Sequence, residues 1–171
     1  IDPETAGNLH LNDKKRILRA LEVYYETGKT MAQHNAETKR IPQRYDSVRI
    51  GLAYEDREQM KRAIDARVDE MVEAGLFDEV RALLASGVPR DVTALQAIGY
   101  KEALAYLDGA STRGEAIDEI KLRSRQYAKR QLTWLRRDTG IHWYYWKKTR
   151  NTADCLAFST EILREHGVSC S

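Results

Sequence analysis

Lys121–Arg137 reads KLRSRQYAKRQLTWLRR and contains no acidic residue, no Pro and no Gly. Nothing in it interrupts a helix. On a wheel of about 100° per residue, extended back to Ile117, one mostly apolar arc collects Ile117, Ile120, Ser124, Tyr127, Ala128, Gln131 and Leu135. Lys121, Arg125, Lys129 and Arg136 line one flank of that arc, and Arg123, Arg130 and Arg137 line the other side. One helix therefore offers a core face and two cationic stripes. With Tyr127 and Trp134 among them, the stripes suit a polyanion with faces to stack on, which is the chemistry of a nucleic acid.

The rest of the chain supports a segregated charge pattern. Its 171 residues allow one domain, or one domain with a small appendage. A hydrophobic content of 42% is enough for a core, and a charged content of 32% points to long amphipathic helices. The formal net charge of +2 hides the segregation, because the acids gather in Glu55–Glu79 and Glu115–Glu119. Two cysteines, Cys155 and Cys170, are too few for a disulfide scaffold and indicate a reducing compartment. No apolar run approaches the roughly 18 residues of a membrane span, and no signal-peptide or targeting-leader pattern is read in these residues, so none is expected. The expectation is a cytoplasmic, monomeric protein with no membrane partner. The first residue is Ile, so the chain is expected to begin partway through a longer one.

Taken in order, Asp2-Pro3-Glu4 opens a short helix to about Leu9. Asn12 or Asp13 caps a second, running to about Thr27 and stopping at Gly28, with Ile17, Ala20, Leu21 and Tyr24 as its core face. Lys15, Arg19, Glu22 and Glu26 form the opposite face, which reads as a solvated strip of charge pairs or as a binding surface. Gly28-Lys29-Thr30 resembles the end of a phosphate-binding loop, but the first Gly of that pattern would fall at Val23, inside the helix. It reads as a helix stop and a new start. Asn35–Gln43 is polar and aperiodic, contains Pro42, and is the candidate linker, giving units 1–43 and 44–171. Asp46–Tyr54 and Ile141–Trp146 are the two strands. Between them come helices over Glu55–Ala74 and Leu76–Ser86, helical spacing across Thr93–Leu107, and the basic helix, opened by Thr112 and Glu115 and ending near Gly140. Thr152 caps a last helix to about Gly167. The chain is mostly α-helical with about two strands.

Two features stand apart. Arg67 falls inside the apolar arc Met60, Ala63, Ile64, Met71 and Ala74. A guanidinium is costly to bury unpaired. A carboxylate from a neighbouring helix, outward reach of the side chain, or a phosphate or diphosphate ligand would each resolve the conflict. In Gln96-Ala97-Ile98-Gly99-Tyr100-Lys101, Gly99 interrupts a helical pattern at a cost of about 1 kcal/mol. Either helix packing or a base lying against the glycine explains it.

These strings together resemble the C-terminal half of the bacterial tRNA dimethylallyltransferase (tRNA isopentenyltransferase) family. They are Leu9-His10 with Asn12-Asp13, Arg16–Val23, Thr27–Lys29, Arg67 with Met71, Gly75-Leu76, Glu79-Val80, Gln96–Glu102, and Arg125–Arg136 with Trp143. The resemblance runs from Asp2 to about Trp146. It implies an α/β enzyme with a P-loop NTPase-like core and a helical insertion, whose end would be residues 1–43. Such an enzyme is a cytoplasmic transferase that moves a dimethylallyl group from dimethylallyl diphosphate to N6 of the adenine 3′ of the anticodon in tRNA, with Mg²⁺ accompanying the diphosphate. Nucleotide (ATP) binding is a property of the same fold.

Carried over residue by residue, the resemblance places Arg67 on the diphosphate. Lys15, Arg16 and Arg19 face tRNA at the root of the insertion. Gln96, Ala97, Ile98, Gly99, Tyr100 and Lys101 pack on the anticodon loop, and Lys129, Arg130, Gln131, Thr133 and Arg136 contact the stem-loop. Family members often carry a second Arg four residues before Arg67, where this chain has Ala63; Arg62 is adjacent but on a different face. The glycine-rich phosphate loop and the catalytic Asp of the family lie in a half absent from these residues, so the polypeptide alone is expected to be inactive. A non-catalytic helical RNA-binding module is the alternative reading. His10, His34, His142 and His166 show no metal-ligand spacing with Cys155 and Cys170, so no protein metal site is expected.

Overall fold

The computed structural model describes residues 1–42, 44–147 and 150–168. Cys170 and Gln43 lie outside the described residues. The chain forms two compact units, Ile1–Ser47 and Val48–Ser171.

The first unit contains α1 (Pro3–Asn8), α2 (Lys14–Thr27) and α3 (Met31–Arg40). Asp2 caps α1: its carboxylate accepts from Thr5 N at 3.0 Å and from Ala32 N at 3.3 Å, tying the starts of α1 and α3. Bonds from the Thr5 hydroxyl and amide hold this carboxyl below its ordinary range. Gly28 ends α2 at φ +70°, the left-handed conformation that glycine adopts without a side-chain clash. Thr30 then opens α3 with a reciprocal cap to Gln33. Gly28-Lys29-Thr30 is thus a stop and a start, as read. Of the polar stretch from Asn35, Asn35–Arg40 is helical and completes α3. The Thr30–Gln33 cap and the terminal Lys39 and Arg40, which favour a helix C-terminus, outweigh the missing apolar period. Val23 is the one buried residue of α2, beside the expected face.

The second unit contains β1 (Arg49–Tyr54), α4 (Arg57–Glu73), α5 (Leu76–Ala85), a 3₁₀ turn (Thr93–Gln96), α6 (Tyr100–Leu107), α7 (Arg113–Leu135), β2 (Ile141–Trp146) and α8 (Thr152–Glu165). β1 and β2 pair in parallel, with Arg49 opposite Ile141 and Tyr54 opposite Trp146. A parallel pair needs a long connection, and α4–α7 supply it. α5, α6 and α7 enclose a core of Phe77, Val80, Leu95, Ala103, Leu104 and Ala116. A second cluster, Val68, Leu76 and Ile120, joins α4 to α5 and α7.

Several boundaries differ from the sequence expectation, and β1 begins at Arg49 instead of Asp46. Thr93–Leu107 is broken: Ala97 is extended and Gly99 sits at φ +101° as the cap of α6. Gly99 is therefore not a mid-helix glycine, and its backbone conformation, which L side chains resist, is its reason. Glu102 Oε2 accepts from Gly99 N at 2.7 Å and fixes the break. α7 stops at Leu135, short of Gly140, because Asp138 pairs with Arg49 at the start of β1 and accepts from Gly140 N at 3.0 Å. Asn151, rather than Thr152, caps α8. The Thr112–Glu115 capping box at the start of α7 is present as read.

Candidate functional site

α4 and α7 lie side by side, and acidic residues of α4 meet basic residues of α7. Arg125 Nη1 donates to both carboxylate oxygens of Asp65 at 2.7 Å, and Lys121 Nζ reaches Asp69 at 2.6 Å. Arg123 pairs with Glu119 on its own helix at 2.6 Å. Half of the first cationic stripe is thereby committed to packing, which corrects its reading as a continuous binding face. No wheel of α7 alone reveals acids contributed by another helix. Lys129, Arg130, Arg136 and Arg137 are exposed and have no side-chain partner among the described residues. Trp134 and Tyr127, 71% and 50% exposed, stand among them.

Between the same two helices runs a cleft of about 600 Å³. α4 contributes Ile64, Arg67, Val68 and Met71; the turn before α6 contributes Gln96, Ala97 and Ile98; α7 contributes Ile120, Ser124, Tyr127, Ala128 and Gln131. Its floor is apolar, since Val68 and Ile120 are 2% and 1% exposed. The helical period explains the lining: each helix turns one stripe of residues three and four apart toward the gap. The walls are polar where Gln96, Gln131, Ser124 and Arg67 project.

Arg67 is exposed and has no hydrogen-bond or ionic partner among the described residues. The buried arc of α4 runs through Ile64, Val68, Met71 and Val72, slightly rotated from the expected arc, so Arg67 falls at its edge. Of the three resolutions open for Arg67, outward reach is the one seen, with the guanidinium meeting solvent at the cleft rim.

Of the other residues singled out, Gln96, Ala97, Ile98 and Gln131 share the cleft with Arg67. Gly99 is buried, its Cα side facing Leu76 and Met71, and it shapes the turn instead of offering a surface. The Tyr100 hydroxyl donates to Glu79 Oε1 at 2.6 Å, so it is committed to α5. That bond, with burial, holds the Tyr100 phenol above its ordinary range. Lys101, Lys129, Arg130, Thr133 and Arg136 are exposed and do not line the cleft. In the first unit, Arg16 pairs with Asp13 and Arg19 with Glu22, each at 3.4 Å, while Lys15 is exposed. Of the two, only the Arg19–Glu22 pair lies on the face of Lys15, Arg19, Glu22 and Glu26, and it is a charge pair of the kind a solvated strip carries. Sequence reasoning missed Ser124 and Ala128 as cleft residues. Their place on the apolar arc of α7 was the available signal. Among the described residues no group of three or more His, Cys, Asp or Glu side chains forms a metal donor set, and no helix is long and apolar enough to cross a membrane.

The fold and cleft define a helix-rich α/β protein that holds an unpaired cation beside an apolar slot, next to a basic and aromatic helix face. The chain belongs to the IPP transferase family, whose model matches residues 1–138. It is 48% identical over 144 residues to the tRNA dimethylallyltransferase of Halothermothrix orenii, covering 84% of this chain and 44% of that protein. It is 43% identical over 159 residues to the tRNA dimethylallyltransferase of Alkaliphilus oremlandii, covering 91% of this chain and 50% of that one. The solved tRNA isopentenylpyrophosphate transferase of Bacillus halodurans superposes with a TM-score of 0.65 at 39% identity, over 96% of this chain and 50% of that one. The chain thus spans about half the length of the curated relatives it matches.

Proposed function

We propose that this chain supplies the RNA-gripping surface and part of the diphosphate site of a tRNA dimethylallyltransferase. The reaction moves a dimethylallyl group from dimethylallyl diphosphate to N6 of the adenine 3′ of the anticodon and releases diphosphate. The observation that carries the reading is Arg67, an unpaired guanidinium at the rim of an apolar slot walled by Gln96 and Gln131. The chemistry needs such a combination. As the bond from the prenyl carbon to the diphosphate oxygen breaks, negative charge grows on the leaving group, and a fixed guanidinium there stabilises it. The planar fork of Arg matches phosphoryl oxygens two at a time.

The adenine must leave the anticodon loop to react, and an apolar slot with amide groups on its walls suits a displaced base. Gln96 and Gln131 supply edge contacts, and Ala97 and Ile98 pack against the base. Lys101, Lys129, Arg130, Thr133 and Arg136 hold the stem-loop backbone, with Tyr127 and Trp134 available for stacking. Lys15, Arg16 and Arg19 contact tRNA from the first unit. Gly99 and Tyr100 set the shape of the turn. The base that takes the proton of the adenine amine, and the phosphate loop, belong in this reading to the half of the relatives that these residues do not match. The described residues supply no Mg²⁺ donor set; the ion would be held by the diphosphate and that other half, and no step of this chain is routed through it. We take the working protein to be cytoplasmic and monomeric.

The test has two arms. A synthetic anticodon stem-loop should bind this polypeptide, with affinity falling steeply as salt is added. With the chain joined to the other half its relatives carry, Arg67→Gln should lower prenyl transfer by about a hundredfold or more while stem-loop affinity is nearly kept. Unchanged turnover removes the role of Arg67, and stem-loop binding without any transfer by the joined enzyme favours the non-catalytic RNA-binding module.

A further inference from the structure

Arg67 faces two clefts. The second has a volume of about 450 Å³ and brings together Arg62, Arg67 and Arg150, with Tyr54 and Glu70 on its wall. Tyr54 ends β1, and Arg150 follows the end of β2 at Trp146. The cleft therefore lies at the carboxyl ends of a parallel strand pair, where α/β folds collect their ligands. Its three guanidiniums face one wall carboxylate, Glu70. Arg62 is only loosely engaged, 3.7 Å from Asp56 and 71% exposed.

Arg150 is held in a particular way. Its Nε donates to the Tyr54 hydroxyl at 2.6 Å, and its guanidinium carbon lies 5.3 Å from the Tyr54 ring centroid. A phenol orients the side chain without neutralising it. One of the five N–H donors of an arginine is used, and the outward fork is left for an anion. No carboxylate pairs with Arg150 among the described residues.

We propose that Arg150 is a second diphosphate-binding residue, acting with Arg67 in the cleft that both line. A single phosphate fills one fork, whereas a diphosphate presents two phosphoryl groups and can engage two separate forks. The inference rests on the prenyl-transfer reading only for the identity of the anion as a diphosphate ester. Tyr54 is the positioning residue.

Inorganic diphosphate and orthophosphate, titrated into this polypeptide and followed by phosphorus NMR, test it. The unaltered chain should prefer diphosphate. Arg150→Gln should weaken diphosphate about tenfold and abolish that preference, whereas Arg150→Lys, which keeps charge but loses the fork, should fall between. Tyr54→Phe should weaken diphosphate by about threefold by freeing the guanidinium. Circular dichroism should be unchanged, since Arg150 is exposed. The inference is overturned if the unaltered chain binds no diphosphate, if Arg150→Gln binds it as before, or if Arg150→Gln weakens the anticodon stem-loop instead. Loss of stem-loop binding with diphosphate binding intact would strike the tRNA reading and leave this site standing.

Discussion

Arg125 and Asp65 lock α7 to α4 through a guanidinium nitrogen shared between two carboxylate oxygens, each 2.7 Å away. Both side chains are about a third exposed, at 31% and 32%, so water screens the pair only in part. Asp65→Asn is expected to lower unfolding free energy by about 1–2 kcal/mol, within the range for hydrogen bonds to charged groups. Denaturant unfolding measures it, and a double-mutant cycle with Arg125→Gln should show coupling. Additive losses would mean that the pair contributes no attraction of its own.

The same pairing separates two kinds of cation on one helix. Lys129→Gln and Arg130→Gln should each reduce stem-loop affinity and flatten the salt dependence by about one unit of slope. Lys121→Gln and Arg125→Gln should lower stability and leave that slope alone. Filter binding across a salt series distinguishes the groups; equal slopes for all four variants would contradict the assignment.

Gly51 lies opposite Trp143 in the strand pair. A Cβ at Gly51 would come within 2.7 Å of Trp143 Cε3 and 2.8 Å of Ile141 Cγ2. Gly51→Ala should destabilise the second unit by about 1–3 kcal/mol through overpacking. Trimming the indole with Trp143→Phe should recover part of the loss in thermal unfolding. A neutral Gly51→Ala would show that the indole moves aside freely.

Tyr100 offers a pH-dependent readout. Its phenol is raised above the ordinary value of 10.0, first by its hydrogen bond to Glu79 and then by burial. A raised folded value means that the bond stabilises the fold fully below about pH 10 and that this contribution is lost as pH climbs through the folded value. Glu79→Gln should bring the Tyr100 titration, followed by ultraviolet absorbance, back down. Tyr100→Phe should cost about 0.5–1.5 kcal/mol and leave stem-loop affinity nearly intact, as the phenol is already engaged. A large loss of RNA binding on Tyr100→Phe would restore it as a contact residue.

Much of the fold was legible because its signals are local. The caps at Asp2, Thr30 and Thr112, the stop at Gly28 and the two strands all follow from residues within a few positions of one another. The break at Gly99 was missed because 3.6-residue spacing continues through it. What breaks the helix is a backbone conformation, fixed by Glu102 reaching back to Gly99 N. Asn35–Arg40 was missed for the opposite reason, since its helix has capping but no apolar stripe to announce it.

By itself, the sequence determined the helical content, the two strand candidates, the cationic character of α7 and the residues Arg67 and Gln96–Ile98 worth watching. Only the tertiary structure decided which cations remain free. Charge pairing depends on which helices meet, and Asp65 and Asp69 are far from Arg125 and Lys121 along the chain but adjacent in space. The same holds for Arg67, whose exposure turns on a small rotation of α4, and for Arg150, which reaches the cleft of Arg67 only because β1 and β2 lie side by side. Local propensity follows from neighbours in sequence, whereas an electrostatic site is set by neighbours in space.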